Sequence, residues 1–317
     1  MRRPVLFWPS IGVPWTSYPA IMHSPTTHLR SEAEGASAAG ETAAARAEAC
    51  APGMVDLSQT SGLPLWLDAQ EGALVLAQPL LELHADPQPR RLLESVLLDP
   101  AAPGPEVPCT VYRGVALATD QGVFEEHGVR HNLMMLRPGR LGREYVKTRG
   151  HVASCAEAAQ CPEAYGVVHG QALFLVQQPG GEPGHAACWS QVRDVRWIEA
   201  RPGQKVIIPA ESGVVIINLR EGPLVLSHLV AADAWPVHLM YQQLGGAAYY
   251  VVERDGAPAT EPNPRYAQPL PPVRKEAPLE APGLGVEEGV PLYSAFVHGP
   301  QRFAWLREGA PVVAEVC

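Results

Sequence analysis

Residues 142–170 read GREYVKTRGHVASCAEAAQCPEAYGVVHG. Two short runs that favour extended backbone, Glu144–Thr148 and Ala164–Val168, are punctuated by Gly142, Gly150 and Gly170. Side chains alternate sides along a strand, so His151 and position 153 share one face. Glu163 enters from the next strand. An imidazole and a carboxylate that meet in this way can hold iron or manganese, or can move a proton.

Working outward, the same kind of text continues on both sides. Strands are expected at Val111–Ala118, Asn132–Leu136, Val192–Glu199, Lys205–Pro209, Val214–Asn218, Leu224–Val230 and Tyr249–Glu253, with Ala172–Gln177 directly after the quoted stretch. Turn signals separate them: Arg137-Pro-Gly, Pro179-Gly-Gly, Arg201-Pro-Gly, Glu221-Gly-Pro and Asp255-Gly. Repeated short strands at this spacing argue for an all-β sandwich or barrel. No internal repeat is present.

Residues 1–55 have the composition of a poorly ordered arm, because 31–51 is rich in alanine and glutamate with almost no bulky apolar side chains. Residues 56–108 carry short strands and one amphipathic helix over PQPRRLLESVLLDP, with Leu92, Leu93, Val96 and Leu97 on one face and Pro100 at its end. The main body spans 109–266. The tail, 267–317, is expected to pack back through Tyr293, Phe296, Phe303 and Trp305.

Of the 317 residues, 46% are hydrophobic, which is enough for a sizeable core, and 33 prolines and 29 glycines imply many turns and few long helices. The net charge of −9 argues against a nucleic-acid partner. No apolar stretch is long enough for a membrane span. Prolines at 4, 9 and 14 interrupt the short apolar run at the start, which therefore does not read as a signal peptide. Cysteines 50, 109, 155, 161, 188 and 317 show no framework spacing, so reduced thiols in a cytoplasmic protein are expected.

Glu163 followed by six residues and Gly170, and Gly203, Pro209 and Asn218 farther on, resemble the two motifs of cupin barrels. The blocks HNLMMLRPGRLGREYVKTRGH (131–151), PEAYGVVHGQALFLVQ (162–177), ARPGQKVIIP (200–209) and ERDGAPATEPNPRY (253–266) are similar to the cupin-type phosphoglucose isomerases of archaea and some bacteria. That resemblance covers about residues 110–266. It implies a single jelly-roll barrel with N- and C-terminal extensions and one or two short helices. It also implies interconversion of glucose 6-phosphate and fructose 6-phosphate in glycolysis and gluconeogenesis, a sugar-phosphate ligand, one divalent metal (iron or manganese) and a homodimer.

Carried over by position, the family's metal ligands fall on His151, Ala153, Glu163 and Val214, so two side chains able to ligate are kept and two are lost. The resemblance places substrate binding on Thr148 and Gly150 and catalysis on Glu163 and Tyr165. A catalytically inactive binding barrel without metal is the alternative. In that reading His151 is a hydrogen-bonded interior histidine, Glu163 is buried against it, and Thr148 and Gly150 serve packing. His228 is the best substitute ligand, although His131, His169, His185 and His228 individually read as surface or turn residues. A site made of His151, Cys155 and Cys161 is a further option. Lys147 and Arg149 alternate away from Thr148 and are expected to face outward. His238 and Tyr241 lie near, but out of register with, a histidine and a tyrosine of the family.

Overall fold

The computed structural model describes residues 53–76, 84–155, 160–181 and 189–308. The expected N-terminal arm lies outside these residues except for its last three positions, and so do His185 and the end of the tail. Each of the ten expected strand segments carries a strand.

Two sheets dominate. The larger has six antiparallel strands in the order Lys205–Ile208, Glu163–His169, Leu224–Ala231, Val129–Leu136, Cys109–Arg113 and His84–Gln88. The second has four strands, Gly213–Asn218, Ala172–Pro179, Val192–Ala200 and Val273–Glu276, the last pair parallel. One core lies between the sheets, where Met134, Tyr165, Val167 and Leu226 meet Phe174, Ile198, Val214 and Ile216.

The six-stranded sheet is covered on its other face as well. Leu133, Met135, Ala164, Val168, Val225 and Leu229 point there and pack against Leu65, Tyr293, Phe296 and Phe303. The period of two along each strand puts alternate residues into different cores. Burial on both faces is why Leu224–Ala231 is apolar at nearly every position rather than alternating. The tail supplies the outer layer through the helix Leu292–His298, whose Tyr293 hydroxyl donates to Asp120 at 2.6 Å and accepts from the Leu117 amide at 3.0 Å.

The amphipathic helix expected over 87–100 is instead two 3-10 turns, Arg90–Leu92 and Glu94–Val96. Pro89 is extended at the start and Leu97 at the end, which confines helical backbone to a few residues. The Leu98 amide is then captured by the Glu144 carboxylate at 2.7 Å, and Leu93, Val96 and Leu97 all reach the core between the sheets. Three further short helices, Gln121–His127, Leu239–Leu244 and Trp305–Glu308, carried no strong sequence signal. Among the described residues no helix is long and apolar enough to cross a membrane.

Candidate functional site

Cross-strand register builds the site. Arg113 lies opposite Asn132, Asn132 opposite His228, and His228 opposite Tyr165, one row across four neighbouring strands. Stepping two residues along these strands keeps the same face and adds Val111, Arg130, Met134, Glu163 and Val230. All nine side chains line one cavity. Its opposite wall is formed by Lys147, Thr148, Arg149, His151 and Ala153 and by Ala234, Trp235, Pro236 and His238, which lie on either side of the two-stranded pairing of Val152–Ser154 with Trp235–Val237.

At the inner end, Glu163 receives three donors. His228 Nε2 lies 2.9 Å and Tyr165 Oη 3.1 Å from its Oε1, and His151 Nε2 lies 3.1 Å from each carboxylate oxygen. All four residues are buried. The Tyr165 and His228 rings stack with centroids 4.3 Å apart and planes 8° from parallel. The Asn132 amide locks the tautomer of His228. Its Oδ1 accepts from the Gly114 amide at 3.3 Å, so its Nδ2 donates to His228 Nδ1 at 3.1 Å. His228 therefore carries its proton on Nε2 and donates it to Glu163.

The electrostatics follow from this packing. Burial works against ionisation of Glu163, but the charge and hydrogen bond of His151 and the bond from His228 outweigh it and hold the carboxyl well below its usual range. Burial lowers the pKa of His228 despite the opposing pull of Glu163, so the imidazole is neutral near pH 7. Burial and the Glu163 charge push Tyr165 far up, keeping it a donor. His238 is pushed down to about 4 by burial, opposed by its 2.7 Å bond from Nδ1 to the Gly150 carbonyl.

Thr148 lines the cavity, and its hydroxyl accepts from the Ile216 amide at 3.0 Å. Gly150 is not on the cavity wall. Its φ is +83°, and a Cβ there would come within 2.8 Å of the Tyr241 ring, so close packing accounts for this glycine.

The residues do not fit the divalent metal that the resemblance implies. Val214 does sit across from His151, their amides and carbonyls exchanging bonds of 3.1 and 2.9 Å, but it presents methyl groups, and Ala153 adds another. A ligating histidine offers a bare nitrogen and donates its other N–H outward; His228 has the reverse arrangement. Among the described residues no group of three or more His, Cys, Asp or Glu side chains is disposed to hold an ion.

Other expectations need correction. Lys147 is buried, with Nζ bonded to Glu144 and, at 2.9 Å, to the Val96 carbonyl, and both it and Arg149 line the cavity instead of facing outward. The segment around them pairs only briefly with the sheet, so strict alternation does not apply. His228 is the inner histidine described above. His131 is also buried, donating to the Val115 carbonyl and accepting from the Ser227 hydroxyl, each at 2.8 Å. Cys155 and Cys161 are bonded to each other rather than reduced, with their Cα atoms 6.1 Å apart. This pairing removes them as ligands.

Arg113, Arg130 and Asn132 were not singled out from the sequence. The available signal was the period of two in CTVYR and VRHNLMML, which puts each on the face that Met134 occupies. His238 reaches the wall through the turn before Leu239–Leu244.

The family model described as glucose-6-phosphate isomerase (GPI) matches residues 93–267. Curated relatives include the glucose-6-phosphate isomerases of Pyrococcus abyssi, 28% identical over 132 residues, and Thermococcus litoralis, 30% identical over 132 residues. In both cases the match covers 42% of this chain and 61% of the relative, so the chain spans about three fifths of the length of these proteins. Solved structures with partial likeness include vicilin from Capsicum annuum (10% identity, TM-score 0.29, 43% of this chain and 32% of that one). Another is Bacillus subtilis oxalate decarboxylase (18% identity, TM-score 0.28, 42% of this chain and 28% of that one). Likenesses this slight carry no argument.

Proposed function

The chain belongs to the glucose-6-phosphate isomerase family, and from that premise we propose that it interconverts glucose 6-phosphate and fructose 6-phosphate within a cupin jelly-roll barrel formed by its two large sheets. The observation that carries this reading is the ionised Glu163 carboxylate, ringed by the Nε2–H of His228, Tyr165 Oη and His151 Nε2, at the inner end of a cavity.

The reaction needs one proton moved between C2 and C1 and another moved between the two oxygens. Glu163 is the acceptor. It takes the proton from the carbon next to the carbonyl, the C–H electron pair becomes the C=C bond of an enediol, and the carbonyl oxygen becomes a hydroxyl. The Nε2–H of His228 and the Tyr165 hydroxyl are the donors that face the developing oxyanion; the Tyr165 hydroxyl gives it a proton and is reprotonated by the neighbouring hydroxyl, whose oxygen becomes the new carbonyl. Return of the proton from Glu163 to the neighbouring carbon completes the exchange. Thr148 and the cavity cations orient the sugar phosphate. The donors that keep Glu163 ionised also make it a weak base, so slow turnover is expected.

No step is routed through a metal, because the side chains present do not fit one. Dimer formation and a cytoplasmic setting enter as part of the same proposal and rest on the resemblance.

A second reading, a barrel that binds a sugar phosphate without chemistry, is favoured by Ala153 and Val214 at two ligand positions. The deciding assay is conversion of fructose 6-phosphate by the purified chain, alone and with Mn²⁺ or Fe²⁺, beside Glu163→Gln. Turnover that does not depend on metal and disappears in Glu163→Gln supports the isomerase. Turnover only with metal overturns the ion-free mechanism, and none under any condition leaves the binding module.

A further inference from the structure

His151, Glu163 and His228 supply two imidazoles and one carboxylate, the donor set of many ferrous and manganous centres. As they stand they are not disposed to hold an ion. Their spacing alone does not explain this. Ligands bonded at about 2.1 Å and set at right angles lie about 3 Å apart, and His228 Nε2 and His151 Nε2 stand 2.9 and 3.1 Å from Glu163 oxygens. Such distances serve a hydrogen bond or a shared ion equally. The hydrogen on His228 Nε2 separates the two cases, and Asn132 places it there.

Asn132 is buried in Val129–Leu136, with Arg113 opposite on one neighbouring strand and His228 opposite on the other. The chain leaves the Arg113 strand at Gly114, whose φ of +68° belongs to the left-handed region. The Gly114 N–H points back at Asn132 Oδ1, 3.3 Å away. Turning the amide over would set its NH2 group against this N–H and leave buried donors facing each other, which is costly. The backbone therefore fixes the amide, and the amide fixes the imidazole.

Three bonds then run in one direction. Gly114 N–H donates to Asn132 Oδ1, Asn132 Nδ2 donates to His228 Nδ1, and His228 Nε2 donates to Glu163. Bonds aligned in this way polarise and strengthen one another. A histidine that ligates a metal has an acceptor on its outer nitrogen, commonly a carboxylate or a carbonyl. Asn132 presents a donor in that place. Aspartate has nearly the same shape as asparagine, so one atom sets the polarity of the whole chain of bonds.

We propose that Asn132 is the positioning residue that commits this pocket to hydrogen-bond donation and excludes a divalent cation from it. An acceptor at position 132 reverses the order. His228 then carries its hydrogen on Nδ1, its Nε2 turns a lone pair toward the Glu163 carboxylate, and the repulsion between them is relieved by a divalent cation shared with His151. This inference goes beyond the isomerase reading and does not rest on it.

The test uses the full chain as wild type, Asn132→Asp, and Asn132→Asp combined with His228→Gln, each shown to be folded by circular dichroism. Nitrogen-15 NMR of histidine-labelled protein reads which ring nitrogen bears hydrogen, and the His228 signals are those that vanish in His228→Gln. Wild type is expected to show a bare Nδ1 and a hydrogen on Nε2, and Asn132→Asp a hydrogen on Nδ1. A wild-type spectrum with the hydrogen on Nδ1 overturns the assignment by itself, whatever the variants do.

Calorimetric titration with Mn²⁺ alone reads the consequence. Asn132→Asp should bind Mn²⁺ at least about tenfold more tightly than wild type, the low end for the outer partner of a ligating histidine, and the combined variant should lose that gain. Equal affinity in wild type and Asn132→Asp overturns the proposal, as does a gain that survives His228→Gln. A purely structural Asn132 would change stability and move neither the ring hydrogen nor the ion affinity. Neither assay contains a sugar phosphate, so a wild type that fails to convert fructose 6-phosphate removes the isomerase reading and leaves both readouts in force.

Discussion

Replacing Gly150 with alanine tests whether this glycine touches substrate or only lets the backbone approach Tyr241. Its φ of +83° lies in the left-handed region, where an L side chain costs about 1–2 kcal/mol. The new methyl would sit 2.8 Å from Cδ1 and Cγ of the Tyr241 ring. That ring cannot retreat easily, because it is fully buried and its hydroxyl packs against Gly213. Overpacking of this kind costs about 1–3 kcal/mol. Lower entropy of the unfolded chain returns about 0.4–1 kcal/mol. A net loss of roughly 2–4 kcal/mol is expected from these terms. Gly114→Ala is the control, since Gly114 has a φ of +68° and an added methyl there would meet nothing within 4 Å. It should lose only the backbone part, about 1 kcal/mol. Urea unfolding of both variants isolates the clash as their difference, and Gly150→Ala combined with Tyr241→Leu should recover about 1–3 kcal/mol of it as coupling. If Gly150→Ala is within about 0.5 kcal/mol of Gly114→Ala, inside the usual additivity error, the packing account is wrong. A rise in KM without loss of stability would then return Gly150 to the substrate.

Three further outcomes are expected. Tyr165→Phe removes one donor from Glu163 while keeping the ring stacked on His228, so kcat for fructose 6-phosphate should fall about a hundredfold, at the low end for a donor or proton-transfer group, with KM within about twofold; an unchanged kcat removes Tyr165 from the chemistry. Burial pushes the pKa of His131 down to about 4. Between that value and the unfolded value near 6.5 the unfolded chain binds the extra proton, so stability rises with pH and is lost on acidification, by up to about 3 kcal/mol over the window. Urea unfolding of wild type and His131→Asn from pH 7 to pH 4 checks this, and parallel pH slopes would refute it. Thiol titration of the denatured, unreduced chain should report four free thiols out of the six cysteines if only Cys155 and Cys161 are joined, and closing so short a loop should contribute roughly 2 kcal/mol that reduction removes.

Strand layout was legible in the amino-acid sequence, because burial on one or both sheet faces writes a period of two or an unbroken apolar run into each segment. So was the meeting of His151 and Glu163, since both lie in the stretch that leads from one strand into the next. The fate of 87–100 was not. The same leucine spacing serves a helix or two tight turns, and the choice fell to flanking extended residues and to the Glu144 carboxylate that captures the Leu98 amide. Nor could the inward turn of Lys147 be read locally, because it depends on the Val96 carbonyl 51 residues away. The chemistry of the site was decided by register. Pairing of Tyr165 with His228, and of His228 with Asn132, delivers a neutral donor imidazole to Glu163 from 65 residues downstream. The same register brings Arg113 and Arg130 onto the cavity face. Alternation along a strand is local and legible, whereas the partner across the sheet is set by long-range pairing that no single segment encodes.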